Sequence, residues 1–184
     1  MLQEFLRVFC ELSGVTETAK ELVLLNEQGK SEEALAVKLE AQKAHTLKAL
    51  QSISARSRIR RGEDDPLLLP YYLVLVILRS PIEELRNGIE RNHLLELLRA
   101  AHHRKDKETI RTSDLTNLLL RLPSLQSSIQ PPFLYYDSNS RRLRIVDTRQ
   151  FFVLANVDRQ QMEDEIPTPA DITDENAAVG EYVS

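Results

Sequence analysis

The most apolar stretch of the chain is Leu67-Leu68-Leu69-Pro70-Tyr71-Tyr72-Leu73-Val74-Leu75-Val76-Ile77-Leu78, twelve uncharged residues closed by Arg79. A bilayer-spanning helix needs about 20 apolar residues. The run therefore predicts a central buried helix over 66–79, with Asp65 as its cap and Pro66 at its first position. The pattern before it is amphipathic. Leu2, Phe5, Leu6, Phe9 and Leu12 share one helical face over 2–13, closed by Gly14, and Thr16 opens a second helix carrying Ala19, Leu22, Val23 and Leu25. Ser31 opens a third helix that meets no breaker before Arg61, about 30 residues or about 45 Å at the usual rise. Its apolar stripe (Leu35, Leu39, Leu47, Leu50, Ile53) is narrow and interleaved with Lys38, Glu40, Lys43 and Lys48. One face packs and the rest is wet or awaits a partner helix.

Beyond the apolar run, Ser80-Pro81-Ile82-Glu83 reads as a capping box and Asn87-Gly88 as punctuation. A helix over 89–103 follows, with Leu94, Leu95, Leu97 and Leu98 inward. The rhythm then changes. Ser113 and Asp114 precede Leu115, Leu118, Leu119 and Leu122, whose i, i+3, i+4, i+7 spacing predicts a helix stopped by Pro123. Phe133-Leu134-Tyr135-Tyr136 and Leu143-Arg144-Ile145-Val146 are β-rich runs on either side of a polar turn, which predicts a hairpin over 133–148. Asp147 and Asp158 then cap two short helices, carrying Phe151, Phe152, Leu154 and Val157, and Met162 and Ile166.

The order in 105–148 resembles the winged helix-turn-helix fold. That resemblance implies a small first strand at 109–112, a helix-turn-helix at 113–122 and 124–130, and a wing at 133–148. Residues 21–41 are similar to one tetratricopeptide hairpin, but such repeats act as stacked copies and no second copy follows. The fold class read from the chain is mainly α. A helical bundle over 1–88 precedes a winged unit over 89–166 and an acidic tail over 167–184.

With 42% apolar residues among 184, the chain can bury a core. Its one cysteine, Cys10, excludes an internal disulfide and sits on an apolar face, as a small hydrophobe in a reducing compartment does. The first residues carry Glu4 and Glu11 and lack a basic lead, so no secretory signal is read and a cytoplasmic location is expected. Net charge changes the picture once it is divided. From Glu163 onward the chain has seven acidic residues and no Lys or Arg, which leaves the preceding body at +3 although the whole is −4. The body can meet a polyanion, and the tail can compete for the same surface.

Motifs for chemistry are missing from the sequence. There is no P-loop, glycine-rich dinucleotide turn, cysteine pair or nucleophile elbow, so no enzyme, cofactor or small-molecule substrate is predicted. Glu90-x-x-His93 is half of a carboxylate-bridged metal site without its second half, which makes a metal-dependent helical enzyme the remote alternative. His102-His103 closes a helix, where imidazoles suit the dipole.

Two function classes fit. The first is an interaction subunit docking into a protein assembly or with itself, through Leu39, Leu47, Leu50, Arg56, Arg58 and Arg60 on the long helix. It is favoured because 124–130, as the presented helix, carries Gln126, Ser127 and Ser128 but no cation, so base recognition would rest on Gln126 and Gln130 alone. The second is a DNA-binding regulator gripping phosphates with Arg141, Arg142 and Arg144 of the wing and Lys105, Lys107 and Arg111 at the other edge.

Overall fold

The computed structural model describes Arg7, Val8 and Cys10, residues 28–57 and residues 66–168. The first three are helical, and Cys10 is half-buried. The remainder of the helices expected over 2–13 and 16–28, the Asp65 cap, Arg58, Arg60 and the tail after Thr168 lie outside the described residues. The chain divides into two compact units, Met1–His45 and Thr46–Ser184.

Helix α1 (Gln28–Ser54) ends seven residues short of Arg61. Its last turn tightens, with the Arg56 amide donating to the Ile53 carbonyl and the Ser57 amide to that of Ser54. Serines bond readily to nearby main chain and so weaken a helix. Ser57 does so across the turn, its Oγ accepting from the Tyr71 amide at 3.3 Å.

Helix α2 (Leu69–Arg79) buries eight of its eleven residues, as its all-round apolar sequence requires. It starts at Leu69 because Leu68 holds a left-handed backbone, φ 40°, that no helix can pass through. Ser80 does not open the next helix. Its amide and its Oγ both donate to the Val76 carbonyl, closing α2, and α3 (Ile82–Asn87) begins after Pro81 without a side-chain cap. Gly88, at φ 79°, leads into strand β1 (Ile89–Glu90). Helix α4 (Arg91–Ala101) starts two residues later than expected, since the Glu90 carboxylate accepts from the Asn92 and His93 amides and so caps it.

The strand expected at 109–112 is instead a 3₁₀ turn, Lys107–Thr109, in which Asp106 accepts from the Glu108 amide and the Thr109 hydroxyl donates to the Asp106 carbonyl. Helix α5 (Thr112–Leu125) then runs through Pro123. The proline stands on the exposed side two residues from the end, so its ring forfeits only one hydrogen bond there. The two helices read at 113–122 and 124–130 are therefore one helix and a turn.

Strands β2 (Leu134–Asp137) and β3 (Arg142–Ile145) make the expected hairpin. The antiparallel sheet has the order β1-β3-β2, with Leu134 opposite Ile145, Tyr136 opposite Leu143 and Ile89 also opposite Leu143. Asp147 and Asp158 cap α6 (Thr148–Asn156) and α7 (Arg159–Asp164) as the sequence predicts. Three polar ties hold α7: Arg79 Nε donates to Glu163 at 2.9 Å, Arg159 donates to the Ser80 carbonyl, and Gln51 Nε2 donates to the Glu165 carbonyl. The protein is thus mainly helical with one small sheet. Residues 66–88 and 89–166 share a single core, because α2 packs on α4, α5 and α7 and β1 joins the hairpin. Among the described residues no helix is long and apolar enough to cross a membrane.

One buried polar side chain fixes the hairpin to α5. Gln126, 1% exposed, donates from Nε2 to the Leu122 and Leu134 carbonyls, and its Oε1 accepts from the Leu134 amide at 2.7 Å. Replacing it by Leu keeps the volume but strands both Leu134 main-chain groups. The Gln126→Leu chain should lose about 1–3 kcal/mol in urea unfolding. Ile77→Asp, which buries an unpaired charge in α2, should abolish cooperative melting of the second unit altogether.

Candidate functional site

Helix α5 has two opposed faces. Leu115, Leu118, Leu119, Leu122 and Leu125 are buried, and Ser113, Asn117, Leu120, Arg121 and Ser124 recur at helical spacing on the opposite side, all exposed. Leu120 is 59% exposed, unusual for a leucine at the middle of a polar stripe. Four of these five lie within the 113–122 helix, so the 3.6-residue period read on its polar side finds this face, and carrying it past Pro123 adds Ser124.

At the front of α5 lies the turn from α4, locked by its histidines. His102 is buried, its Nε2 2.7 Å from the Leu67 carbonyl and its Nδ1 3.1 Å from the Arg104 amide. An amide only donates, so Nδ1 is the unprotonated nitrogen and Nε2 donates to Leu67. Its ring stacks on that of His103 with centroids 4.5 Å apart and lies tilted against Tyr72 at 4.2 Å, while Tyr72 also stacks on His103 at 5.6 Å and its hydroxyl meets His103 Nδ1 at 2.7 Å. The histidines do stand at the end of α4, and their rings fasten the turn to α2. Arg99 braces the same turn through the Ile110 carbonyl and Glu108.

Of the cations read as phosphate contacts, Lys105 and Arg111 are exposed on this turn, and Lys107, also exposed, donates to the Ala100 carbonyl. At the hairpin, Arg141 and Arg144 are exposed. Arg141 occupies a left-handed backbone position, φ 53°, and its carbonyl accepts from the Arg91 amide at 2.9 Å, so the tip abuts the start of α4. Arg142 is spent internally on the Gly88 carbonyl at 2.7 Å. Arg144 stands opposite Tyr135 on the outer face of the sheet, and its stem lies over Gly88, where an added Cβ would come within 2.8 Å. Two groups of cations thus flank α4, one at each end.

Other expected contacts fall elsewhere. Ser127 and Ser128 are exposed on the turn after α5, but Gln126 faces inward and cannot read a base. Leu50 is wholly buried in the second unit's core, which removes it from a partner surface, and Leu47 is partly buried against that core. Leu39 is half-buried and Arg56 exposed. Residues 99–146 hold nine Lys and Arg against four Asp and Glu, a charge of +5 inside a chain of −4.

Among the described residues no three His, Cys, Asp or Glu gather to hold a metal, and Glu90 and His93 are engaged with amides and with Glu84. A cleft of about 480 Å³ between α2 and α7 is lined by Arg79, Arg159 and Glu163, charges already committed to the ties described above.

The hairpin tip carries a titration handle. The Ser140 hydroxyl and Asn139 amide bond to the Asp137 carboxylate and hold its pKa below the ordinary range. A depressed carboxylate stabilises the fold fully above its ordinary pKa and loses that contribution as pH falls through the lowered value. The Asn139 amide resonance should therefore stay fixed at neutral pH and move only in acid, below where a free Asp titrates. Comparison with known proteins yields no match, whether to a family model, a curated protein or a solved structure.

Proposed function

We propose that residues 82–146 are a winged helix-turn-helix unit that grips duplex nucleic acid without catalysing a reaction, with α5 as the helix presented to the groove. The element order supports this reading: a helix, a short strand, two helices joined by a turn, and a hairpin whose second strand pairs with the first strand. The observation that carries it is the exposed stripe of α5. Asn and Arg are the side chains that pair in bidentate fashion with adenine and guanine edges, and Asn117 and Arg121 lie one turn apart on that stripe. Leu120 between them suits a thymine methyl. With the presented helix at 124–130 no cation faces the partner. With it at α5, Arg121 does, and Arg111 precedes it.

The cations at the two ends of α4 support a backbone grip. That helix is about 16 Å long, comparable with a major groove of about 12 Å and the phosphates on its rims. The cytoplasmic location read from the sequence belongs to this proposal. A second reading, docking into a protein assembly, is favoured by one observation: Leu120, Tyr135 and Val146 are large apolar side chains left exposed on the same unit.

The test is binding of the full chain to short duplexes across a salt series. Affinity should fall steeply with salt, and the Arg141→Ala, Arg144→Ala variant should flatten the log–log slope by about 0.9 for each phosphate that is no longer neutralised. Asn117→Ala should change sequence preference with little change in slope. No measurable duplex binding, together with a self-association or protein capture that Leu120→Ser abolishes, would transfer the function to the second reading.

A further inference from the structure

The register of the sheet sorts its side chains onto two faces. Ile89, Leu134 and Leu143 turn inward and are buried, whereas Tyr135 and Arg144, directly opposite each other, turn outward. Tyr135 is 54% exposed, and Val146, two residues along from Arg144, is 45% exposed. The other polar side chains of that outer face are already committed. Glu90 caps α4, Arg142 bonds to the Gly88 carbonyl, and the Asp137 carboxylate accepts from Ser140 and Asn139. Among the described residues the side chains of Tyr135 and Arg144 have no hydrogen-bonding or ion-pairing partner.

Residues opposite each other on one face of an antiparallel pair stand about 4.5–5.5 Å apart at Cβ, so the ring and the guanidinium are neighbours. Arg144 is also restrained. Its stem lies over Gly88, where an added Cβ would come within 2.8 Å of its Cγ. Among the described residues the cation stacked on a ring is Arg86, on Phe151, so Arg144 stands beside Tyr135 without covering it.

Size decides between occupants. A fully covered aromatic side chain buries about 150–250 Å², so Tyr135 with Val146 falls well short of the roughly 800 Å² that each partner commits to a stable protein interface. One planar base is a closer match. A cation next to a stacking ring suits an unpaired nucleotide, the ring taking the base and the guanidinium a phosphate, and this pair lies in the segment that carries +5. A base inside a duplex has no free face to offer, since its stacked neighbours cover both.

We propose that the outer face of the hairpin, Tyr135 with Arg144, takes an unpaired base of a single-stranded extension beside the duplex held by α5. This rests on the nucleic-acid reading of the unit, and the experiment separates the two. The full chain is titrated with a blunt duplex, with the same duplex bearing a short single-stranded extension, and with the extension alone. The extension carries 2-aminopurine, whose fluorescence falls when it stacks on an aromatic ring.

The extended duplex should bind roughly tenfold tighter than the blunt one, within the range of a single base–aromatic stack, and its fluorescence should be quenched. Tyr135→Leu, which keeps an apolar side chain but removes the flat ring, should abolish the gain and the quenching and leave blunt-duplex affinity unchanged. Tyr135→Phe should keep both. Equal affinity for blunt and extended duplexes, or a gain that survives Tyr135→Leu, would overturn the stacking site and leave the duplex reading standing. Tyr135-dependent quenching of the extension with no binding of the blunt duplex would overturn the duplex reading and leave the stacking site standing. Self-association that Tyr135→Leu abolishes, with no quenching, would give this face to a second copy of the chain and overturn the proposal.

Discussion

The burial of α2 is the constraint on which the second unit depends. An eleven-residue helix that is apolar on every side has no solvent face, so the other elements must enclose it, and α4, α5 and α7 do so. Each fully buried large side chain contributes about 1.5–3 kcal/mol. That sum readily offsets the strained start at Leu68, a left-handed leucine costing on the order of 1–2 kcal/mol. A helix free to start earlier would carry Leu67 out of register. Its carbonyl would then no longer meet His102, and the turn before α5 would lose its anchor.

Placement of the candidate surface follows from a few buried polar contacts laid over that core. His102 fixes the turn to the α2 leader, Gln126 fixes the hairpin to α5, and Arg142 fixes the hairpin to the backbone before β1. His102 and Gln126 have partners on both their polar atoms, which is the condition under which a buried polar group adds rigidity instead of cost. The side chains left over on α5 and at the hairpin tip are consequently held by a stiff frame, as a recognition surface needs to be.

Local chemistry is legible in the sequence, and tertiary context is not. The apolar run, the Asp147 and Asp158 caps and the hairpin are all readable because each is decided by residues within a few positions. Ser80 reads as a helix start, yet its hydroxyl finds the carbonyl four residues behind it. Pro123 reads as a stop, but near a helix end on an exposed side its penalty is small enough for the buried leucine stripe to carry the helix past it. Stopping the helix there turns attention to 124–130 and away from the exposed side of α5 that carries Asn117 and Arg121. Gln126 reads as a surface contact because amides are usually exposed; only the fold reveals that the Leu134 amide and carbonyl need it as their partner.

Gln126 also determines what the sheet cannot do. β2 is the outermost strand, and the Leu134 amide and carbonyl face away from β3, since its neighbour Phe133 supplies the carbonyl that accepts from Val146. A carboxamide sets an N–H donor beside an acceptor in one plane, the pair a peptide offers, and the second N–H of Gln126 goes to Leu122. Gln126 therefore stands in for one rung of a fourth strand, which is missing among the described residues. An open strand edge is a template on which another molecule can add a strand and on which fibrils begin. Here the first rung is already occupied from within, so a glutamine that does nothing on the surface keeps neighbouring copies from zipping onto it.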